Sequence, residues 1–327
     1  MAVLYGMSRN LAIIDCGTNT FNLLVAGVGK DGSWETVLNT KIPVKLAPSA
    51  TTGKIGSNRF GRGLDALHTL KQNLVNTRTQ SVFAFATSAI RESVNGREFV
   101  EAARKQVGLD LRIITGEEEA RLIYLGVRQC FEMGTDKSLI MDIGGGSVEF
   151  IIANAEEVFW KQSLQIGVSR LKGTFMPDDP ITDTQVTEIQ AYLANHLTGL
   201  AAAMGEHQPV RLLGSSGTFD TLVDMLSLRN PGRYPSPLNF TNPIKVDDIR
   251  AISKEITAMT HAERLQVPGL LPMRADMMVM SFALIDALLT LHPITEIHQV
   301  SYALKEGALA HLLAQEHGME QDLNTST

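Results

Sequence analysis

The sequence predicts an α/β fold of two similar lobes, each built on a mixed sheet. Three observations predict it. The 327 residues exceed what one hydrophobic core organises well and suit two domains of about 150 residues each. Short apolar runs alternate with stretches of helical spacing, the pattern of an α/β domain. One pattern also occurs twice, as Asp15-x-Gly17-x-x-Thr20 and Asp142-x-Gly144-x-x-Ser147, each time between two apolar runs.

In the first half, residues 11–14, 21–28 and 36–46 read as strands around that turn. Phe60, Leu64, Leu67, Leu70 and Leu74 then recur at helical spacing. Residues 81–86 read as a buried strand, 96–107 as a helix, 111–115 as a strand and 117–131 as a helix. The second half restarts with strands at 139–143, 148–153 and 158–166. Thr182-x-x-Gln185 is a capping box, and its helix is expected to run to about Met204. Residues 211–213 make a short strand leading into Gly214-Ser215-Ser216-Gly217-Thr218 and a helix. Thr260-x-x-Glu263 is a second capping box, the proline-rich stretch 230–242 an irregular loop, and 306–316 a last helix before a polar tail at 321–327. Met273, Met277 and Met280 recur at helical spacing and are read as core.

Composition excludes several classes. Apolar content of 44% and charged content of 20% are those of an ordinary globular chain. Two cysteines, Cys16 and Cys130, make no disulfide framework and point to a reducing compartment. The first ten residues lack a basic region followed by an apolar run, and the apolar stretch 277–291 is interrupted by Asp286. Neither secretion nor membrane spanning is expected, and the cytoplasm is the expected compartment. A net charge of −6 argues against a nucleic-acid partner. It also requires any polyanion-binding site to gather positive charge locally or to borrow it from a metal ion.

The repeated turn carries the chemistry. Glycine lets a backbone approach a ligand closely, and successive N–H groups in such a turn make an anion nest. Thr18, Asn19 and Thr20 in the first copy, and Gly144, Gly145, Gly146 and Ser147 in the second, are the candidate phosphate-binding residues. The aspartate ending each preceding strand, Asp15 or Asp142, can hold a divalent cation. Two such units facing each other would enclose a cleft. The structural alternative for each copy is a plain hairpin with a glycine turn. Glu117-Glu118-Glu119 opens a helix, where acids already favour the helix dipole; one of them facing a ligand would serve as a general base, and spacing does not choose among them. Arg91 follows a strand end and could grip phosphate, or pair with a carboxylate. Cys16 reads as a packing residue, the eight histidines show no metal-ligand spacing, and no G-x-x-x-x-G-K-[ST] occurs.

These segments resemble the exopolyphosphatase and guanosine pentaphosphate phosphohydrolase family, within the actin, hexokinase and Hsp70 superfamily. The resemblance rests on residues 14–23, on Ala86-Thr87-Ser88-Ala89-Ile90-Arg91-Glu92 with Asn95, on Gly116-Glu117-Glu118-Glu119-Ala120-Arg121, on Asp142 to Glu149, on 214–218 and on Ser301-x-x-Leu304-Lys305-Glu306-Gly307. Ser216 stands where the family usually has glycine, and Lys305 where it has arginine. The resemblance implies two actin-like (ribonuclease H-like) lobes, 1–123 with 303–327 and 124–302. It implies Glu119 as the residue that activates water, Arg91 as a phosphate-gripping residue, and Asp142 as a residue that orients that water. It further implies magnesium or another divalent ion held by Asp15, Asp142 and Glu149, and a homodimer of the short two-domain type. The implied activity is removal of terminal phosphate from inorganic polyphosphate. Hydrolysis of guanosine pentaphosphate, a non-catalytic binding module and a kinase of the wider superfamily are the alternatives. Arg97, Arg121, Arg170, Lys172 and Arg274 are candidates for a basic groove that would favour polyphosphate.

Overall fold

A computed structural model describes residues 7–231, 233–234 and 239–316. The chain divides into two units, Met1–Gly126 with Leu304–Thr327, and Val127–Ala303.

The first unit runs β1 (Met7–Cys16), β2 (Thr20–Gly29), β3 (Trp34–Pro43), α1 (Ser57–Asn76), β4 (Ser81–Ala86), α2 (Ser88–Arg91), α3 (Gly96–Ala102), β5 (Leu111–Ile113) and α4 (Gly116–Cys130). α3 ends in a single π turn, Ala103–Val107. The sheet order is β3-β2-β1-β4-β5. β1, β2 and β3 form an antiparallel meander, and β4 and β5 add in parallel to β1. The apolar runs predicted at 11–14, 21–28 and 81–86 fall in the three central strands. Phe21, Phe60 and Phe99 meet edge to face, with ring centroids 6.3 Å and 5.0 Å apart along the chain of contacts, and join α1 and α3 to the sheet.

The second unit runs β6 (Ser138–Ile143), β7 (Val148–Ala153), β8 (Val158–Leu164), α5 (Val168–Phe175), α6 (Asp183–His196), α7 (Thr198–His207), β9 (Arg211–Ser215), α8 (Ser216–Arg229), β10 (Thr241–Ile244), α9 (Val246–Ala258), α10 (His261–Arg264), α11 (Met278–Leu291) and β11 (Glu296–Val300). α12 (Leu304–Glu316) returns to the first unit. The sheet order is β10-β11-β9-β6-β7-β8, with β6, β7 and β8 antiparallel and β9 and β11 parallel to β6. Removing the antiparallel edge strand β10 leaves the strand order and directions of the first unit. The repeat seen in the sequence is thus a repeat of the fold, and the two predicted α/β lobes are present. β6 and β7 are buried along their whole length, their polar residues Ser138, Asp142 and Glu149 included, as strands covered on both faces should be.

Three expectations change. The helix begun by the Thr182 capping box does not run to Met204; it breaks at Leu197 into α6 and α7. Part of the predicted loop 230–242 is strand: β10 begins at Thr241 and carries Pro243 on an edge strand, the place in a sheet where proline is tolerated. Residues 232 and 235–238 of that loop, and the polar tail 321–327, lie outside the described residues. Of the three methionines read as core, Met280 is buried in α11, whereas Met273 and Met277 lie in the turns before that helix and are half-buried. Met278, Phe282, Leu284 and Ile285 of α11 are buried too, and Asp286 accepts a 2.7 Å hydrogen bond from Ser253 Oγ. Burial pushes the Asp286 carboxyl above its usual range. No helix among the described residues is long and apolar enough to cross a membrane.

Candidate active site

In the first unit, β1 ends in the predicted turn. Gly17 N–H donates to Thr20 O at 3.1 Å and closes it. Thr18 O accepts from Leu46 N–H, and Asn19 O from the N–H groups of Val44 and Lys45, at 2.6, 2.8 and 3.1 Å. A trans peptide points its N–H opposite to its C=O. Pinning those two carbonyls therefore turns the N–H groups of Asn19 and Thr20 away from the 44–46 segment. Asp15 accepts from Asn22 Nδ2 at 2.9 Å, its register partner on β2.

The three glutamates at the start of α4 separate by environment. Glu117 is exposed, and Glu118 forms an ion pair with Arg112. Glu119 is buried, and its Oε2 lies 2.8 Å from Arg91 Nη1. Arg91 also donates to Ile114 O at 3.1 Å and to Glu92 Oε1 at 2.9 Å. The structure therefore brings together two of the predicted catalytic residues, with the arginine engaged by a carboxylate. Asn95, part of the same motif, is a staple: its amide accepts from Ile55 N–H at 2.9 Å and donates to Ile55 O at 3.0 Å. Cys16 is fully buried, and burial followed by the charge of Asp15 pushes its thiol well above the usual value, which fits a packing residue.

The second unit repeats the turn with a fuller set of bonds. Gly144 N–H donates to Ser147 O at 3.0 Å. Gly144 O accepts from Val168 N–H, Gly145 O from Ser169 and Arg170 N–H, and Gly146 O from Gly167 N–H, at 2.8–3.2 Å. Three consecutive peptide planes are thereby fixed, and the N–H groups of Gly145, Gly146 and Ser147 point away from α5. None of the three has an acceptor among the described residues. Such a row of N–H donors is an anion receptor.

A carboxylate pair stands beside it. Asp142 and Glu149 are direct register partners on β6 and β7, so both side chains stand on one face of the sheet. They are 8% and 2% exposed. Asp142 Oδ2 accepts from Ser215 Oγ at 3.1 Å and Glu149 Oε1 from Ser163 Oγ at 2.6 Å, which makes a polar row across four strands. The corresponding row of the first unit reads Asp15, Asn22 and Lys41, with a single acid. Two facing carboxylates of hard oxygen donors suit magnesium, which binds one or two carboxylates and keeps its remaining positions for water and phosphate. Among the described residues no group of three or more His, Cys, Asp and Glu is placed to hold a metal ion. The donor set present is therefore a carboxylate pair, not an all-protein cage.

A scan against family models matches residues 25–316 to the Ppx/GppA phosphatase family. The chain belongs to that family. Among solved structures, one described as an exopolyphosphatase from Cytophaga hutchinsonii is 36% identical, with a TM-score of 0.90 over 94% of this chain and 98% of that one. Exopolyphosphatase 1 of Mycobacterium leprae is 27% identical over 94% of this chain and 90% of its own length. A Ppx/GppA family member from Aquifex aeolicus, 24% identical with a TM-score of 0.76 over 94% and 98% of the two chains, shares the fold.

Within this Ppx/GppA chain the third glycine-rich turn reads differently from the first two. A Cβ on Gly214 would enter the Phe219 ring, and one on Gly217 would enter the Arg274 guanidinium. Both glycines are thus explained by packing, without a ligand. Ser216 adopts φ 66°, a left-handed conformation that costs a non-glycine residue about 1 kcal/mol or more. Its hydroxyl donates to Ile143 O at 3.0 Å. Ser216→Ala keeps the strain and loses the bond, so it should lower stability by about 1 kcal/mol, whereas Ser216→Gly should stay within about 0.5 kcal/mol of the parent. Denaturant titration checks the order, and a more damaging glycine would contradict it.

Four of the five candidate groove cations are held internally. Arg121 bonds His311, Arg170 bonds Gly146 O and Gln165, and Lys172 pairs with Asp276 at 2.8 Å. Arg274 packs on Gly217, and burial lowers its pKa against the opposing pull of the Asp220 and Asp224 charges. Only Arg97 of that set is exposed without a described partner.

Proposed function

We propose that this Ppx/GppA family member is an exopolyphosphatase that removes terminal phosphate from inorganic polyphosphate. The observation that carries the reading is the pairing, inside one unit, of an anion receptor at Gly145–Ser147 with a carboxylate pair at Asp142 and Glu149. A phosphate chain with its counter-cation needs both. Two relatives that align over nearly the whole chain bear the name exopolyphosphatase, which supports polyphosphate as the substrate class.

In this reading the N–H groups of Gly145, Gly146 and Ser147 hold terminal phosphate oxygens. Thr18, Asn19 and Thr20 supply further donors. Glu119 takes a proton from water as the water oxygen attacks the terminal phosphorus. The bridging P–O bond breaks, the shortened chain leaves as an anion that needs no protonation, and orthophosphate is released. Arg91 fixes the orientation of the Glu119 carboxylate. Asp142 and Glu149 would hold a divalent ion, which when bound would neutralise charge developing on the phosphate oxygens. Cytoplasmic location and a homodimer belong to the same proposal.

Magnesium at about tenfold excess over its Kd should raise the melting temperature of the parent protein by about 2–4 °C. In Glu149→Gln the shift should fall below about 1 °C; equal shifts would remove Glu149 from the metal site. The activity test is orthophosphate release from polyphosphate with magnesium, compared with Asp142→Asn. Release only from guanosine pentaphosphate would move the substrate assignment to that nucleotide.

A further inference from the structure

Helix α5 lies behind the glycine loop and does not reach toward its anion-receiving side. Donors to a carbonyl stand on the carbonyl side of the peptide plane, opposite the N–H of the same plane. The N–H groups of Gly167, Val168, Ser169 and Arg170 all donate to loop carbonyls. The Arg170 side chain joins them: its Nε donates to Gly146 O at 3.2 Å while its Nη2 donates to Gln165 Oε1 at 2.8 Å. Gly167 lets this brace come close. A Cβ there would lie 2.5 Å from the carbonyl carbons of both Gly145 and Gly146.

We propose that Arg170, seated by Gly167 and Gln165, is the positioning residue of the phosphate loop. By fixing the Gly146–Ser147 peptide plane, it completes, with the backbone donors of α5, the set of three N–H groups aimed at one anion. This rests on the reading of the loop as the phosphate receptor. Arg170 itself does not touch substrate, which sets it apart from a groove cation. Geometry makes the arginine specific. A planar fork can satisfy Gly146 O and Gln165 together, whereas a lysine ammonium is a single point on a flexible stem. The first unit braces its loop less directly. There Arg62 donates to Val44 O and Lys45 O at 2.5 and 3.2 Å, and it is the amides of Val44, Lys45 and Leu46, not the arginine, that reach the loop.

Binding of tripolyphosphate with magnesium, measured by calorimetry in a Glu119→Gln background, tests this without turnover. Arg170→Met should weaken Kd about tenfold, the loss that accompanies one charge-assisted hydrogen bond, and Arg170→Lys should fall between that and the parent. Arg62→Met should change Kd less than Arg170→Met. In the active background, Arg170→Met should raise KM by a similar factor and leave kcat within about threefold, the signature of lost uniform binding. An unchanged Kd in Arg170→Met, or a loss in kcat with KM unaltered, overturns the assignment. Should Arg170→Met fail to fold, Arg170→Lys and Gln165→Met carry the same comparison. If the Glu119→Gln protein with Arg170 intact binds no tripolyphosphate, the phosphate-loop reading itself has failed, a different result from tight binding that ignores Arg170.

Discussion

Replacing Glu119 by glutamine is expected to lower kcat for phosphate release by roughly 10²–10⁴-fold with little change in KM. Glutamine has nearly the same shape and keeps an oxygen that can accept from Arg91, so the local packing survives. It cannot take a proton from water. The neighbouring acids supply the control, because all three sit in the first turn of one helix and share its dipole. Glu117 is exposed and Glu118 is committed to Arg112. Glu117→Gln and Glu118→Gln are therefore expected within about twofold of the parent, since surface charge changes of this kind carry little energy. Steady-state kinetics on the three variants decides the matter. An equal loss at Glu118 would mean that the helix start matters only as a block of negative charge.

Gly307→Ala is expected to destabilise the protein by about 2–3 kcal/mol, the upper range for forcing a methyl group into a filled core. A Cβ at position 307 would overlap Leu122 O and lie 2.6 Å from Gly126 N. Both atoms are backbone of α4, so no side chain can swing aside. The helix must move, and α4 also carries Glu119. Activity is therefore expected to fall at temperatures where the variant is still folded. Gly205→Ala is the matched control. It lies within α7 with nothing within 4 Å of its added methyl, and should be neutral or stabilising by about 0.5–1 kcal/mol. Chemical denaturation of the two variants measures the contrast, and similar losses in both would contradict the packing account.

The central strands were legible because they are short, mainly apolar runs bounded by turn residues; β4 and β7 appear with the bounds expected from residues 81–86 and 148–153. The two capping boxes were legible because both partners are local, and each is formed. The break at Leu197 left only a weak local mark, Gly199 two residues on, with no proline to force it. β10 was hidden by Pro243, which argues against a strand until the position is known to be an edge. α9 carried a usable signal that went unread: Ile249, Ile252 and Ile256 recur at helical spacing behind Asp247 and Asp248. In the site, the two turns and their aspartates could be read from spacing. Selecting Glu119 among three acids could not, because it depends on Arg91, 28 positions away. The brace from α5 was equally silent. Arg170 read as a groove cation, and only the donor geometry at Gly146 shows what it holds.

The most direct test of the account is orthophosphate release with magnesium from inorganic polyphosphate and from guanosine pentaphosphate, offered at equal concentrations of terminal phosphate. The account predicts the higher kcat/KM for polyphosphate, with the chain shortened from its end and the release lost in Glu119→Gln. Faster release from the nucleotide, or release that survives in Glu119→Gln, would contradict it.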